Sequence, residues 1–470
     1  RAGVRVARIG RPEAVRQDLM QFMVESIAGI EPGSNMSKDQ QYQAINGVLR
    51  RAEVVCATCA GAGSDILERF SFQACLIDEA TQATEPATVV PLTKGCSQVV
   101  LIGDQKQLPP TIISREADAA GLGTSLFERM LARGIRAFML KVQYRMHPAI
   151  AAYPSKAFYS GALLSGTPPS ARRAPMGFDW PVPAVPLAFV DVPDGYERSD
   201  GSSQTNPVEA QKVVNIVKKL AAGHDVIFGE IGIVTPYSAQ VRAIKRLLNG
   251  NKPEVRSRFD APADPNTLQA LEVCSVDGFQ GREKEVIVFC CTRANPNGNV
   301  GFLADPRRVN VMLTRARRGL IIIGNLGTLR RDPEVWGPWL QWAGDNGLIC
   351  GLAAADADSA SRLATIGMSS LEEIGGRGAG EVMTMGAMLS PTMWAGGGGS
   401  ASGGNLADIG PTMKEQRDTD VPDAWDDSDD DDDATGVTTE TESVTVKGST
   451  NSLVGLADSA WDDESDSENS

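Results

Sequence analysis

The chain of 470 residues is 42% hydrophobic with a formal net charge of −14, enough length for two or three domains with an ample core. No apolar run approaches the roughly 18–20 residues of a membrane span, and the opening Arg1-Ala2-Gly3-Val4-Arg5-Val6 holds no signal-peptide core, so the composition gives no sign of a membrane or secreted protein. The charge is uneven: residues 411–470 carry 19 acidic against 3 basic residues and the other 410 carry 40 against 42, so the acidity belongs to a tail.

Residues 1–50 read as mainly helical after a strand-like Val4-Arg5-Val6, with a polar loop near Pro32-Gly33-Ser34-Asn35. Val54-Val55-Cys56-Ala57 reads as a buried strand that ends in Thr58-Cys59-Ala60-Gly61-Ala62-Gly63, where small residues let backbone approach a ligand closely. Two apolar runs follow, Cys75-Leu76-Ile77 and Val99-Val100-Leu101-Ile102, ending in Asp78-Glu79 and, after Gly103, in Asp104. Unbroken apolar runs suit strands buried on both faces of a parallel sheet, whose ligands sit at the carboxyl ends. Adjacent carboxylates there suit nucleotide hydrolysis, one holding Mg²⁺ and the next positioning or deprotonating the attacking water. A solvated acidic turn behind a core strand would read the same way. A helix is expected around Ser125–Ala132.

Pro168, Pro169, Pro175, Pro181, Pro183 and Pro186 mark an extended linker or lobe surface. Strands and helices then alternate again: Leu187–Val192, a helix over Val208–Ala221, Ile231–Thr235, a helix over Ala239–Leu248, a polar loop at 251–266, Val286–Cys291, a helix from Asp305, and Leu320–Ile323. Asp305 as N-cap with Pro306 at the first helical position is a firm start signal. Two blocks of βα alternation predict two doubly wound parallel-sheet domains, over 1–141 and 142–350. From 351 to 470 the chain turns to Ala/Asp/Ser, Gly396–Gly399 and the Asp429–Asp433 run, which reads as a disordered acidic tail. Among eight cysteines, Cys56-x-x-Cys59 has no second pair and the chain has two histidines, which argues against zinc and for reduced thiols in a cytosolic or nuclear protein.

Four further stretches carry chemistry. Gln107, in Gly103-Asp104-Gln105-Lys106-Gln107-Leu108-Pro109-Pro110, has the length and amide to meet a terminal phosphate or its water. Tyr144 and Arg145 offer an aromatic face for a base and a cation for phosphate. Ser275-Val276-Asp277-Gly278-Phe279-Gln280-Gly281-Arg282-Glu283 is a polar, glycine-containing loop before a buried strand. Asn310–Arg318 sets Arg315, Arg317 and Arg318 on a helix, and arginine aimed at a γ-phosphate contributes about 10³–10⁵ in rate. Plainer readings stand beside these: a solvated basic helix face, a packed aromatic at Tyr144, a structural His147.

As an ordered set, these stretches resemble the superfamily 1 helicases and, within them, the up-frameshift (regulator of nonsense transcripts) RNA helicase family, over roughly residues 1–350. The resemblance rests on Thr58-Cys59-x-Gly61-Ala62-Gly63, Asp78-Glu79-Ala80-Thr81-Gln82-Ala83-Thr84-Glu85-Pro86, Val142-Gln143-Tyr144-Arg145-Met146-His147-Pro148 and Gly301-Phe302-Leu303-x-Asp305-Pro306-Arg307-Arg308. The stretch from Gly103 to Thr111 is more similar to the senataxin-type relatives.

The resemblance implies two RecA-like domains, the first incomplete, with ATP between them and single-stranded RNA, or alternatively DNA, across them. It implies Asp78 on Mg²⁺, Glu79 as catalytic base, Gln107 at the γ-phosphate, Tyr144 on adenine, Gly281 and Glu283 at the nucleotide with Glu283 at its ribose, and Arg145 and Arg315 as arginine fingers. Thr58, Gly61, Thr235 and Ser275 fall along the nucleic-acid strand. Movement is 5′ to 3′, in nonsense-mediated mRNA decay, in the cytoplasm with the nucleus as alternative. A P-loop needs Gly-Lys followed by Ser or Thr, and no lysine here is followed by either. In the family that loop lies about where this chain begins, so the chain alone is expected to be inactive in ATP hydrolysis. A senataxin-like helicase of DNA/RNA hybrids and a P-loop-less scaffold for nucleic acid or protein are the alternatives. Trp425 and Trp461, each in Ala-Trp-Asp-Asp, are candidate anchors for protein partners.

Overall fold

The computed structural model describes residues 3–31, 33–249 and 268–351. The loop expected at 251–266 and the tail with Trp425 and Trp461 lie outside the described residues.

The first block runs β1 (Val6–Arg8), α1 (Val24–Ile27), α2 (Lys38–Arg51), β2 (Val54–Cys56), β3 (Ala74–Ile77), α3 (Glu85–Leu92), β4 (Gln98–Leu101), α4 (Arg115–Ala119) and α5 (Leu126–Ala132). Helix α2 starts at a capping box: the Ser37 hydroxyl accepts from the Gln40 N–H, and the Gln40 amide accepts from the Ser37 N–H. Its Ile45, Val48 and Leu49 face a small core with Ala7, Val24 and Leu67. Strands β1 and β2 pair in parallel, as do β3 and β4.

The second block runs β5 (Val142–Gln143), α6 (Pro148–Phe158), β6 (Leu164–Ser165), β7 (Leu187–Asp191), β8 (Arg198–Asp200), β9 (Ser203–Thr205), α7 (Pro207–Ala222), β10 (Ile231–Thr235), α8 (Ser238–Asn249), β11 (Glu272–Ser275), β12 (Lys284–Cys290), α9 (Pro306–Leu313), β13 (Ala316–Gly324), α10 (Leu326–Leu329) and α11 (Trp336–Asp345). Five strands form one parallel sheet in the order β11-β10-β12-β13-β7. Alternation along β12 shows how it is sandwiched. Ile287 and Phe289 pack with α6, α9 and α11, while Val286, Val288 and Cys290 pack with α7 and α8. Leu108, from the loop after β4, is buried in the first of those layers and joins the first block to the second.

The doubly wound α/β expectation holds for the second block, but three local readings change. Strands β2, β3 and β4 are not buried on both faces: Leu76 is 66% exposed, because each pair has only two strands among the described residues. The opening strand lies at Val6–Arg8 instead of Val4–Val6, where it pairs with β2. The proline-rich stretch is no free linker, since Val182 and Val185 are buried in the main core.

Candidate functional site

Strands β3 and β4 run in register, Ile77 beside Leu101, so their acidic ends emerge together. The Ala80 N–H donates to Ile102 O at 2.7 Å, and the Asp104 N–H to Thr81 Oγ1 at 3.3 Å. Gly103 is needed in this crossing: a Cβ there would stand 2.9 Å from Thr81 Cγ2. Glu79 has φ +52°, left-handed backbone that a side chain rarely adopts and that concentrates at functional sites. Its N–H donates to Asp78 Oδ1 at 3.0 Å, and its Oε2 accepts from Gln82 Nε2 at 2.6 Å. Both carboxylates are exposed.

Across from them stand the amino ends of β12 and β13. Glu283 precedes β12 and Arg315 precedes β13, and the Lys284 N–H donates to Arg315 O at 3.2 Å. Arg315 is 3% exposed; its Nε donates to Val311 O at 3.0 Å, and its Nη2 to Thr314 Oγ1 at 3.0 Å and Gln107 Oε1 at 3.1 Å. Burial, then the neighbouring Arg145 cation, pulls its pKa down to about 10, while the Glu79 carboxylate acts the other way. Arg145 donates from Nη1 to Thr314 O at 3.0 Å and is ion-paired through Nε with Glu283. The structure therefore gathers Glu79, Gln107, Arg145, Glu283 and Arg315.

Gln143 shapes the turn that presents Arg145 and Tyr144. Its Oε1 accepts the Arg145 and Met146 N–H groups at 2.9 and 2.7 Å, and its Nε2 donates to Ser165 Oγ at 2.9 Å. Tyr144 is 67% exposed instead of packed, with its ring against Gly166, where a Cβ would overlap it. Gly281 has φ +71° and sits in open space. His147 is structural: buried, it accepts the Ala149 N–H on Nδ1 at 3.1 Å and caps α6. The arginines leave the expected helix, since α9 ends at Leu313 and Arg317 and Arg318 lie on β13, paired with Glu285 and Asp225.

The residues expected along a nucleic-acid strand fall elsewhere. Thr235 and Ser275 pair at the carboxyl ends of β10 and β11, the end of the sheet opposite Glu283 and Arg315. Ser275 Oγ accepts the Gly278 N–H at 3.1 Å, and Thr58 Oγ1 accepts the Gly61 N–H at 3.0 Å, so both hydroxyls close turns before short 3₁₀ segments. The Thr235 side chain is fully buried with its hydroxyl 2.9 Å from that of Thr292, so in this structure it is not open to a strand. Sequence reasoning missed Tyr159, whose hydroxyl donates to Asp104 Oδ2, and Asn310, which lies inside a stretch singled out only for its arginines.

Among the described residues no three or more His, Cys, Asp or Glu side chains are grouped to hold a metal. A single exposed Asp78 carboxylate still fits Mg²⁺, which takes one or two carboxylates with phosphate and water. No helix among the described residues is long and apolar enough to cross a membrane.

Two family models, each described as an AAA domain, match residues 29–115 and 122–327. The regulator of nonsense transcripts 1 homolog of Neurospora crassa is 42% identical over 315 residues, covering 65% of this chain and 28% of that protein. The chain is similar to the regulator of nonsense transcripts helicases over 65% of its length. Other relatives are the ATP-dependent helicase NAM7 of Saccharomyces cerevisiae (42% identical, 61% of this chain, 28% of that protein) and the probable helicase MAGATAMA 3 of Arabidopsis thaliana (39%, 61% and 34%). The chain thus spans about a third or less of the length of these relatives.

Proposed function

We propose that this chain is the nucleotide-hydrolysing and strand-engaging part of an ATP-dependent helicase that moves 5′ to 3′ on single-stranded RNA in nonsense-mediated mRNA decay, in the cytoplasm. The observation that carries this reading is the convergence of Glu79, Gln107, Arg145, Glu283 and Arg315 from separate stretches, with one arginine buried against the glutamine. Residues 1–141 and 142–350 serve as the two RecA-like lobes. In this reading Asp78 holds Mg²⁺, which neutralises phosphate charge when bound. Glu79 takes the proton of the attacking water, and Gln107 orients that water. Arg315 and Arg145 stabilise charge that develops on the transferred phosphate. Tyr144 stacks on adenine, with Gly281 and Glu283 beside the nucleotide. Thr58, Gly61 and Ser275 meet the strand through backbone and hydroxyl.

The test is single-stranded RNA binding by the 470-residue chain across salt and base composition. A groove that holds backbone and stacked bases gives affinity that falls steeply with salt and is indifferent to sequence. Tight, salt-insensitive binding of one short sequence, or no RNA binding at any salt, would sink the proposal.

A further inference from the structure

Tyr159 follows the last turn of α6, and nothing in the sequence marks it as functional. Its hydroxyl stands where three segments meet. It donates to Asp104 Oδ2 at 2.6 Å and accepts from Asn310 Nδ2 at 2.8 Å. Asp104 Oδ2 also accepts from Gln107 Nε2 at 2.8 Å, while Asp104 Oδ1 accepts the Lys106 N–H at 2.9 Å. Gln107 Oε1 in turn accepts from Arg315 Nη2 at 3.1 Å. Asn310 Nδ2 also reaches back to Lys106 O at 2.9 Å, so α9 is tied to the loop after β4 both directly and through Tyr159. Burial and then the Asp104 charge push the Tyr159 hydroxyl pKa above its ordinary range, which keeps it a donor.

Direction is what the ring supplies. A glutamine amide has one accepting and one donating end. With Nε2 on Asp104, the Oε1 end is left for Arg315. Turned over, the amide would set N–H against guanidinium and carbonyl against carboxylate. Asp104 imposes the sense only while its own carboxylate is fixed, and Tyr159 and the Lys106 N–H fix it.

We propose that Tyr159 is a positioning residue: through Asp104 it sets the orientation of Gln107 toward Arg315, and through Asn310 it ties that loop to α9. Its bearing on catalysis rests on the proposed reading of Gln107 and Arg315 as phosphate-facing. The positioning itself does not.

Tyr159→Phe removes the hydroxyl and keeps the ring. Hydrogen exchange of the 470-residue chain, read by peptide, is expected to speed up about tenfold at 104–108 and 310–316, as a bond to a charged group is lost. Helix α7 should be unaffected, and Tyr153→Phe, on the same helix α6, should leave 104–108 unchanged. Asp104→Asn should loosen the same two segments, and adding Tyr159→Phe to it should add little, because the two act through one link. Unchanged exchange at 104–108 in Tyr159→Phe, or full additivity with Asp104→Asn, overturns the positioning role. A second arm uses a protein extended to carry a phosphate-binding loop, where Tyr159→Phe should lower kcat with KM for ATP little changed. Loosened exchange with unchanged kcat would uphold the positioning and remove Gln107 from the phosphate.

Discussion

Glu209 gives the sharpest test of the second block. It lies on α7, wholly buried, and its carboxyl group receives the Thr292 N–H at 2.7 Å, Asn206 Nδ2 at 3.0 Å and Cys290 Sγ at 3.2 Å. Those donors favour the anion and complete burial favours the acid. Burial wins, and with the nearby Glu197 charge acting in the same sense the pKa is pushed up to about 8. In the unfolded chain the group titrates near 4.5. Between those values the folded protein holds a proton that the unfolded chain has released, so stability is full below about pH 4.5 and is lost as pH rises through 8. The slope approaches about 1.4 kcal/mol per pH unit. Integrated from pH 6.5 to 8, where the site reaches half-titration, the loss is roughly 2 kcal/mol.

Glu209→Gln keeps size and polarity but cannot titrate. Urea unfolding at pH 6.5 and 8.0 should show wild type losing roughly 2 kcal/mol more than the variant. Cys290 and Cys291, whose burial raises their pKa values well above the ordinary thiol value, stay protonated in both folded proteins over this range. Parallel pH profiles would refute the claim that burial outweighs the three donors.

His147 should show the opposite sign: burial lowers its pKa to about 4, so stability is lost as pH falls from 6.5 toward 4, by up to about 3 kcal/mol, and His147→Asn should flatten that limb in the same unfolding assay. In a protein extended to carry a phosphate-binding loop, Glu79→Gln should retain ATP binding and lower kcat by roughly 10²–10⁴, and near-normal turnover would remove Glu79 from the role of base. Gly166→Ala should displace the Tyr144 ring and weaken binding of a fluorescent adenine nucleotide, whereas unchanged affinity would separate that ring from the base.

The second block was legible because its strands are buried on both faces and its helices start at strong caps. Val286–Cys291 reads as a strand from apolarity alone and the observed strand is Lys284–Cys290, while the Asp305 side chain accepts the Arg307 N–H at 2.8 Å where Asp-Pro signals a helix start. The same rule misled at Leu76 and Val99–Val100, since an apolar run reports what a strand is suited to and not how many neighbours cover it. Asp78-Glu79 and Arg315 stood out in the sequence by residue type, and the structure sets Arg315 against Gln107 and Arg145 against Glu283. Tyr159 and Glu209 did not stand out, because Asp104 and Asn310 for the first, and Cys290 and Thr292 for the second, lie more than fifty residues away in sequence, and no local pattern encodes such a contact.

The two proposed arginine fingers are built differently, and the difference bears on what each can do. Arg315 is held by Val311 O, Thr314 Oγ1 and Gln107 Oε1 in a site where it is 3% exposed, so moving it would strand buried donors at roughly 1–3 kcal/mol each. Arg145 instead holds Glu283 in a half-exposed pair, its side chain 32% and that of Glu283 40% accessible, and such pairs are worth about 0.2–1 kcal/mol. Arg317 also approaches Glu283, at 3.9 Å, so this carboxylate has a second cation ready when the first leaves. Exchange of Arg145 from Glu283 to a phosphate is therefore cheap, and it frees the carboxylate proposed to meet the ribose at the moment a nucleotide would need it. Arg315 is thus the fixed reference of the site and Arg145 its movable member. Arg145→Ala should consequently alter nucleotide affinity and turnover together with little loss of stability, whereas Arg315→Ala should depress both turnover and unfolding free energy, the latter by about 2 kcal/mol or more. Equal stability losses in the two variants would erase the distinction.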